Sequence, residues 1–159
     1  MASSLRTDEE IIEIYNRHVD TVYRVCFSFM KNKPETEDMV QETFLRLITS
    51  GKTFENGRHE KAWLIVTASN LCKDTLRKWW RRNENIEDYS SVFTETTCID
   101  NDVLDAILAL PNDDKCVVYM YYYEGYTTAE IADFLRCPQA TVRSRLSRAR
   151  KRLLFTLGG

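Results

Sequence analysis

Two helical signatures separated by a short break close this chain, and they constrain its fold more than any other feature. The first runs Thr127-Thr128-Ala129-Glu130-Ile131-Ala132-Asp133-Phe134-Leu135, a short apolar segment with a capping residue at its head. Arg136-Cys137-Pro138 breaks it. The second runs over residues 141–152, where Val142, Leu146, Ala149 and Leu153 recur at i, i+4, i+7 and i+11 as one apolar stripe. Thr141 opens this segment, and Arg143, Ser144, Ser147, Arg148 and Lys151 fall away from the stripe. A helix, a tight turn and a second helix in this order make a helix-turn-helix. Arg pairs with guanine edges and Ser bonds bases or phosphates, so the outward residues suit the major groove of duplex DNA. A solvated basic helix has a similar composition but needs neither the capped helix nor the turn before it.

The remaining periodicity is helical as well. Asp8 to Met30 carries Ile11, Ile14 or Tyr15, His18, Val22, Val25 and Phe29 at helical spacing, and Lys31-Asn32-Lys33-Pro34 ends it. Residues 35–49 form a second helix, with Met39 or Val40, Thr43 or Phe44, and Leu47 inward. Residues 51–57 read as a loop, and 59–82 as a long helix with Leu64, Ala68, Leu71, Thr75 and Trp79 on one side. Short helices follow at 103–110, closed by Pro111, and at 113–123. No segment alternates as a strand does, and no internal repeat is present. The predicted fold class is all-α.

Charge divides the chain. Residues 1–82 hold 14 Lys and Arg against 12 Asp and Glu, residues 83–114 hold 0 against 9, and residues 115–159 hold 8 against 3. The wholly acidic block begins with a stretch rich in Asn, Ser and Thr, which reads as a linker between two small helical domains. The expected boundaries are 8–82, 83–102 for the linker, and 103–155. A solvated tether accounts for such a linker; mimicry of nucleic acid beside basic helices is the alternative.

Several function classes are disfavoured. Cys26, Cys72, Cys98, Cys116 and Cys137 are scattered and odd in number, with no C-x-x-C and no Cys/His cluster, so reduced thiols are expected and no metal site. No Ser or Tyr nucleophile sits in a recognisable catalytic setting, and no Gly-rich phosphate loop is present, so neither catalytic residues nor a cofactor is expected. No apolar run is long enough to cross a bilayer, and residues 1–13 are polar and acidic, which predicts a cytoplasmic protein with no membrane insertion.

On the long helix, Asn70, Lys73, Asp74, Arg77 and Arg81 share one polar face, with Trp63 near its start and Trp79-Trp80 near its end. Cations that follow phosphates beside rings that stack on bases are the equipment of single-strand binding. Taken alone, the same pattern better describes packing aromatics and a solvated face, since an aromatic stripe at helical spacing is usually packing.

Three segments in register resemble the sigma-70 family of bacterial RNA polymerase sigma factors, in its extracytoplasmic-function (ECF) group. They are Asp38-Met39-Val40-Gln41-Glu42-Thr43-Phe44-Leu45-Arg46; Ala62-Trp63-Leu64-Ile65-Val66-Thr67-Ala68-Ser69-Asn70 with Asp74 and Arg77; and Leu110-Pro111 leading to Glu130-Ile131-Ala132 and residues 141–150. The resemblance spans roughly residues 10–154. It implies a promoter-specificity subunit with core RNA polymerase (clamp and flap), promoter DNA and an anti-sigma factor as partners.

By position, the resemblance implies that Asp38, Gln41, Glu42, Phe44 and Arg46 dock on the polymerase. Phe54, Asn56, His59, Trp63 and Asn70 would then open the promoter and capture a base of the −10 element, with Lys73, Arg77 and Arg81 on the backbone. Thr141, Arg143, Ser144, Ser147, Arg148 and Lys151 would serve the −35 element; Arg145, Arg150 and Lys151 are the ones assigned to phosphate or solvent.

The chain departs from the family at Arg136, where glycine is usual and an L-residue in a left-handed cap costs on the order of 1 kcal/mol. It departs also at Ala140 before Thr141-Val142, at Asn112-Asp113-Asp114-Lys115 in place of a more basic segment, and at Ser147. Competing readings are a helix-turn-helix activator, an enzyme such as a resolvase, and a sigma-like adaptor that binds polymerase without DNA.

Overall fold

A computed structural model describes residues 6–82 and 110–157, all of whose regular elements are helical. The linker expected over 83–102 and the short helix expected over 103–110, apart from Leu110, lie outside the described residues. The chain separates into two compact units, 1–93 and 94–159.

In the first unit, α1 (Asp8–Met30) starts at a reciprocal cap. The Thr7 hydroxyl accepts the Glu10 N–H at 3.2 Å, and the Thr7 N–H donates to the Glu10 carboxylate at 3.2 Å. This holds the Glu10 carboxyl below its ordinary range, the backbone bond contributing most. Lys31, left-handed at φ 62°, ends the helix. Asn32 then caps α2 (Lys33–Ser50) by accepting the Glu35 N–H at 3.0 Å. Pro34 stands in the first turn of α2, where a missing N–H costs nothing, so the helix begins two residues earlier than periodicity suggests. Asn56 caps α3 (Gly57–Arg82) in the same manner, accepting the His59 N–H at 3.0 Å.

α3 packs against both α1 and α2. Val22, Val25, Phe29, Met30, Leu47, Leu64, Ile65, Ala68 and Cys72 make the core. The buried arc of α3 is rotated from the expected stripe: Leu64 and Ala68 belong to it with Ala62, Ile65, Cys72 and Leu76, whereas Leu71, Thr75 and Trp79 are only half-buried. Two packed neighbours demand a wider arc than one stripe. Buried hydroxyls are satisfied within their own helices, Thr43 to the Met39 carbonyl at 2.7 Å and Ser69 to the Ile65 carbonyl at 2.8 Å.

In the second unit, α4 (Asn112–Val118) runs into a π-helical turn, Tyr119–Tyr123, closed by the Glu124 N–H to the Tyr119 carbonyl at 3.1 Å. One regular helix over 113–123 was expected; its second half is wider. Gly125 turns the chain at φ 77°. A second reciprocal cap, Thr127 with Glu130, starts α5 (Thr128–Leu135). α5 ends in a Schellman arrangement: Arg136 N–H to Asp133 carbonyl at 3.3 Å, Cys137 N–H to Ala132 carbonyl at 3.1 Å, and Arg136 left-handed at φ 55°, ψ 48°. α6 (Gln139–Leu157) follows, seated by the buried Val142, Leu146 and Ala149.

Candidate nucleic-acid and polymerase interfaces

The α2 surface is a single face. Asp38, Gln41, Leu45 and Arg46 are exposed and Glu42 is partly so, at i, i+3, i+7, i+8 and i+4. Glu42 and Arg46 approach to 3.8 Å, a loose surface pair. Phe44 does not join them. It is 6 % exposed and its ring lies 4.9 Å from that of Tyr15, so it supports the face from beneath. Helical rotation decides this, since position 44 turns towards α1 while 45 turns outward. Leu45, 52 % exposed, is the residue that sequence reasoning left out; a large apolar side chain amid acidic and amide neighbours was its signal.

The α3 surface carries Asn70, Asp74, Arg77 and Arg81 exposed, with Lys73 partly covered. Arg77 is paired to Asp74 one turn earlier, on the surface where such a pair yields readily to a phosphate. At the helix start, Trp63 and Phe54 are half-buried with ring centroids 5.8 Å apart, and the Arg6 guanidinium sits 5.8 Å above the Phe54 ring. Arg6 also bonds the carbonyls of Leu47 and Lys52, which ties the segment before α1 to this loop. Asn56 is exposed, but its side-chain oxygen is committed to the helix cap. His59 lies 3.6 Å from Glu55. These contacts give the loop an aromatic edge, with Asn56 and His59 beside it.

Beneath that surface, Glu60 joins α3 to α1. Its Oε1 accepts from Arg17 at 2.7 Å and from His18 Nε2 at 2.7 Å. Burial drives the His18 pKa below its ordinary 6.5, against the pull of Glu60. Burial thus favours the neutral ring, and Nε2 is the nitrogen that faces the carboxylate. Periodicity marks His18 as an inward position but does not reveal its acidic partner.

On α6, Arg143, Ser144, Ser147, Arg148 and Lys151 are exposed and Thr141 is half-buried. Asp113, Ala140, Thr141, Ser144, Arg145 and Arg148 line an open hollow of ≈ 470 Å³. Two basic residues, Arg148 expected at the −35 element and Arg150 expected at phosphate or solvent, are engaged within the unit. Arg150 Nε donates to the Tyr122 hydroxyl at 2.9 Å, and Arg148 grips the buried Asp114 through Nη2 at 2.6 Å and Nε at 3.3 Å. The bond to Asp114 raises the Arg148 pKa further above its ordinary value. Gln139 donates to the Thr128 hydroxyl at 2.8 Å, fastening the start of α6 to the start of α5.

The chain matches the Sigma-70 region 2 family over residues 14–82 and the Sigma-70 region 4 family over residues 100–153. It is 30 % identical over 153 residues to the ECF RNA polymerase sigma factor SigL of Mycobacterium tuberculosis (strain H37Rv), covering 91 % of this chain and 86 % of that protein. The chain belongs to the sigma-70 family, in its ECF group. It is also 27 % identical over 162 residues to the ECF RNA polymerase sigma factor SigW of Bacillus subtilis (strain 168), covering 91 % and 85 %. In fold, this sigma factor is similar to RpoE of Bartonella quintana, solved in complex with the anti-sigma factor NepR, with a TM-score of 0.73 at 24 % identity over 94 % of this chain and 98 % of that one. CnrH, solved with the cytosolic domain of CnrY, gives 0.68 at 20 % over 98 % and 92 %.

Among the described residues of this sigma factor, no group of three or more His, Cys, Asp or Glu side chains is placed to hold a metal, and no helix is long and apolar enough to cross a membrane. Cys26, Cys72 and Cys116 are buried and Cys137 is half-buried; Cys98 lies outside the described residues.

Proposed function

We propose that this sigma factor divides promoter recognition between its units along the faces above. Membership of the family makes the chain a promoter-specificity subunit and not a free-standing helix-turn-helix activator. Residues 8–82 dock the clamp of core RNA polymerase through Asp38, Gln41, Glu42, Leu45 and Arg46, with Phe44 as support. The same region holds the melted −10 strand on Asn70, Lys73, Arg77 and Arg81 beside Phe54 and Trp63, while Asn56 and His59 shape the loop. Residues 103–155 meet the flap and read the −35 element with Thr141, Arg143, Ser144, Ser147, Arg148 and Lys151, and residues 83–102 are the acidic tether. The protein acts in the cytoplasm, does no chemistry itself and uses no cofactor. An anti-sigma factor restrains it, a reading supported by the Bartonella protein of the same fold having been solved with one.

The observation that carries this reading is the exposed α2 face with Leu45 at its centre in a chain that also presents an Arg- and Ser-bearing recognition helix. A duplex-binding activator has no use for that face. Replacing Gln41 and Glu42 together by Ala is expected to weaken binding of the full chain to core polymerase by about tenfold, about 1.4 kcal/mol. Helix content should stay unchanged, because both side chains lie outside the core. Binding as tight as wild type overturns the docking assignment.

A further inference from the structure

Arg148 poses a conflict, because the side chain best placed to read a base is already bonded to a carboxylate. Which of its atoms are used resolves it. A guanidinium offers five N–H groups on two bidentate edges, one made by Nε and Nη2 and the other by the two Nη atoms. Asp114 occupies only the first, Oδ2 facing Nε at 3.3 Å and Oδ1 facing Nη2 at 2.6 Å. Both Nη1 hydrogens and one on Nη2 stay unclaimed by Asp114, and the Arg148 side chain is 52 % exposed while Asp114 is wholly buried. The unclaimed edge is the pair of donors that matches guanine O6 and N7. Arg148 lines the hollow with Ser144 one turn before it on α6.

We propose that Asp114 is a specificity-determining positioning residue, which buttresses Arg148 so that its outer edge is pre-set for guanine in the major groove. The inference rests on the reading of α6 as the −35 recognition helix. Asp114 itself never touches DNA. It fixes the long side chain in one rotamer before binding, so the ordering cost is not met in the complex. It also closes off the Nε edge, which leaves end-on approach as the only bidentate mode. Ser144 and Ser147 have no such support, and neither can form a two-donor fork.

The experiment selects −35-like sites from a randomised duplex library with the full chain bound to core polymerase. Wild type should select a motif with guanine at one position that Arg148→Ala erases. Asp114→Asn keeps the shape but loses one acceptor and the charge. It should weaken the preference at that same position by about 3- to 10-fold and leave the others unmoved. In the Arg148→Ala background Asp114→Asn should change nothing further in the profile. An unchanged profile in Asp114→Asn, a uniform loss at all positions, or an Arg148-dependent position that is not guanine overturns the buttress. Failure of wild type to select any motif would instead remove the DNA-reading role on which it rests.

A second measurement needs no variant at position 114 to fold. The Arg148 Nε–H of the free full chain should exchange slowly with water and stay protected on adding the selected duplex. Loss of that protection on binding would mean that Asp114 lets go, and would overturn the proposal.

Discussion

Replacing Arg136 by Gly should stabilise the C-terminal unit. Arg136 is held at φ 55°, ψ 48°, in the left-handed region, because the Schellman end of α5 requires a reversal there. An L-residue with a Cβ loses about 1–2 kcal/mol in that conformation. Glycine removes the penalty, but its greater freedom in the unfolded chain gives back about 0.4–1 kcal/mol. Arg136 is exposed, so no packing is lost with it. The net gain is about 0.5–1 kcal/mol, which for a unit of this size raises the melting temperature by about 3–6 °C.

Gly125→Ala is the reciprocal test. Its φ is 77° and a Cβ there would meet nothing within 4 Å, so any loss is conformational, about 1 kcal/mol. Calorimetry of the full chain checks both, with the Lys31→Gly variant as a marker for the first unit, since Lys31 is left-handed too. An Arg136→Gly variant that melts at or below the wild-type temperature would refute the strain argument.

Other expectations test separate parts of the account. Phe44→Ala, which empties a buried site, should cost about 3–5 kcal/mol in urea unfolding, whereas exposed Leu45→Ala should stay within about 0.5 kcal/mol and still impair polymerase binding. Because the folded His18 pKa lies below its unfolded value, the unfolded chain takes up a proton that the folded one refuses. Stability should therefore hold above pH 6.5 and decline as pH falls below it, by at most about 1.4 kcal/mol per unit. Between pH 6.5 and the carboxylate range a His18→Gln variant should lose that decline, and a decline that persists within that window would contradict the assignment. Asn70→Ala, at an exposed mid-helix position, should leave folding and −35 binding intact and still reduce permanganate reactivity of −10 thymines in the holoenzyme complex. Unchanged reactivity would return Asn70 to the solvated surface.

What can be read from the chain depends on how local the controlling interactions are. The extent of α1 is legible because both ends are set locally, but Thr21, Cys26, Ser28 and Met30 are buried beyond the expected stripe, since α2 and α3 both pack on it. The turn at Arg136 is legible from composition, and the structure gives it the left-handed geometry that the missing glycine implies. α2 starts early because Pro34 serves as a first-turn residue as readily as a stop. The π-helical turn has no composition that sets it apart from an α-helical one. The rotation of α3 depends on two neighbours at once, so Leu71, Thr75 and Trp79 lie at the edge of the core while Cys72 and Leu76 take its centre. Arg148 and Asp114 are 34 positions apart, and their pairing follows only from how α4 meets α6. Glu60 likewise reads as a surface acid until α1 brings His18 against it.

The most direct measurement of the central claim is to sequence the transcripts that core RNA polymerase makes in vitro on genomic DNA with and without this protein. The expected result is a set of new 5′ ends, dependent on the protein, that share two spaced upstream elements and fall in abundance with the Gln41→Ala, Glu42→Ala variant at limiting protein concentration. No protein-dependent transcripts, or ends without a shared upstream pair of elements, would contradict a role as a promoter-specificity subunit.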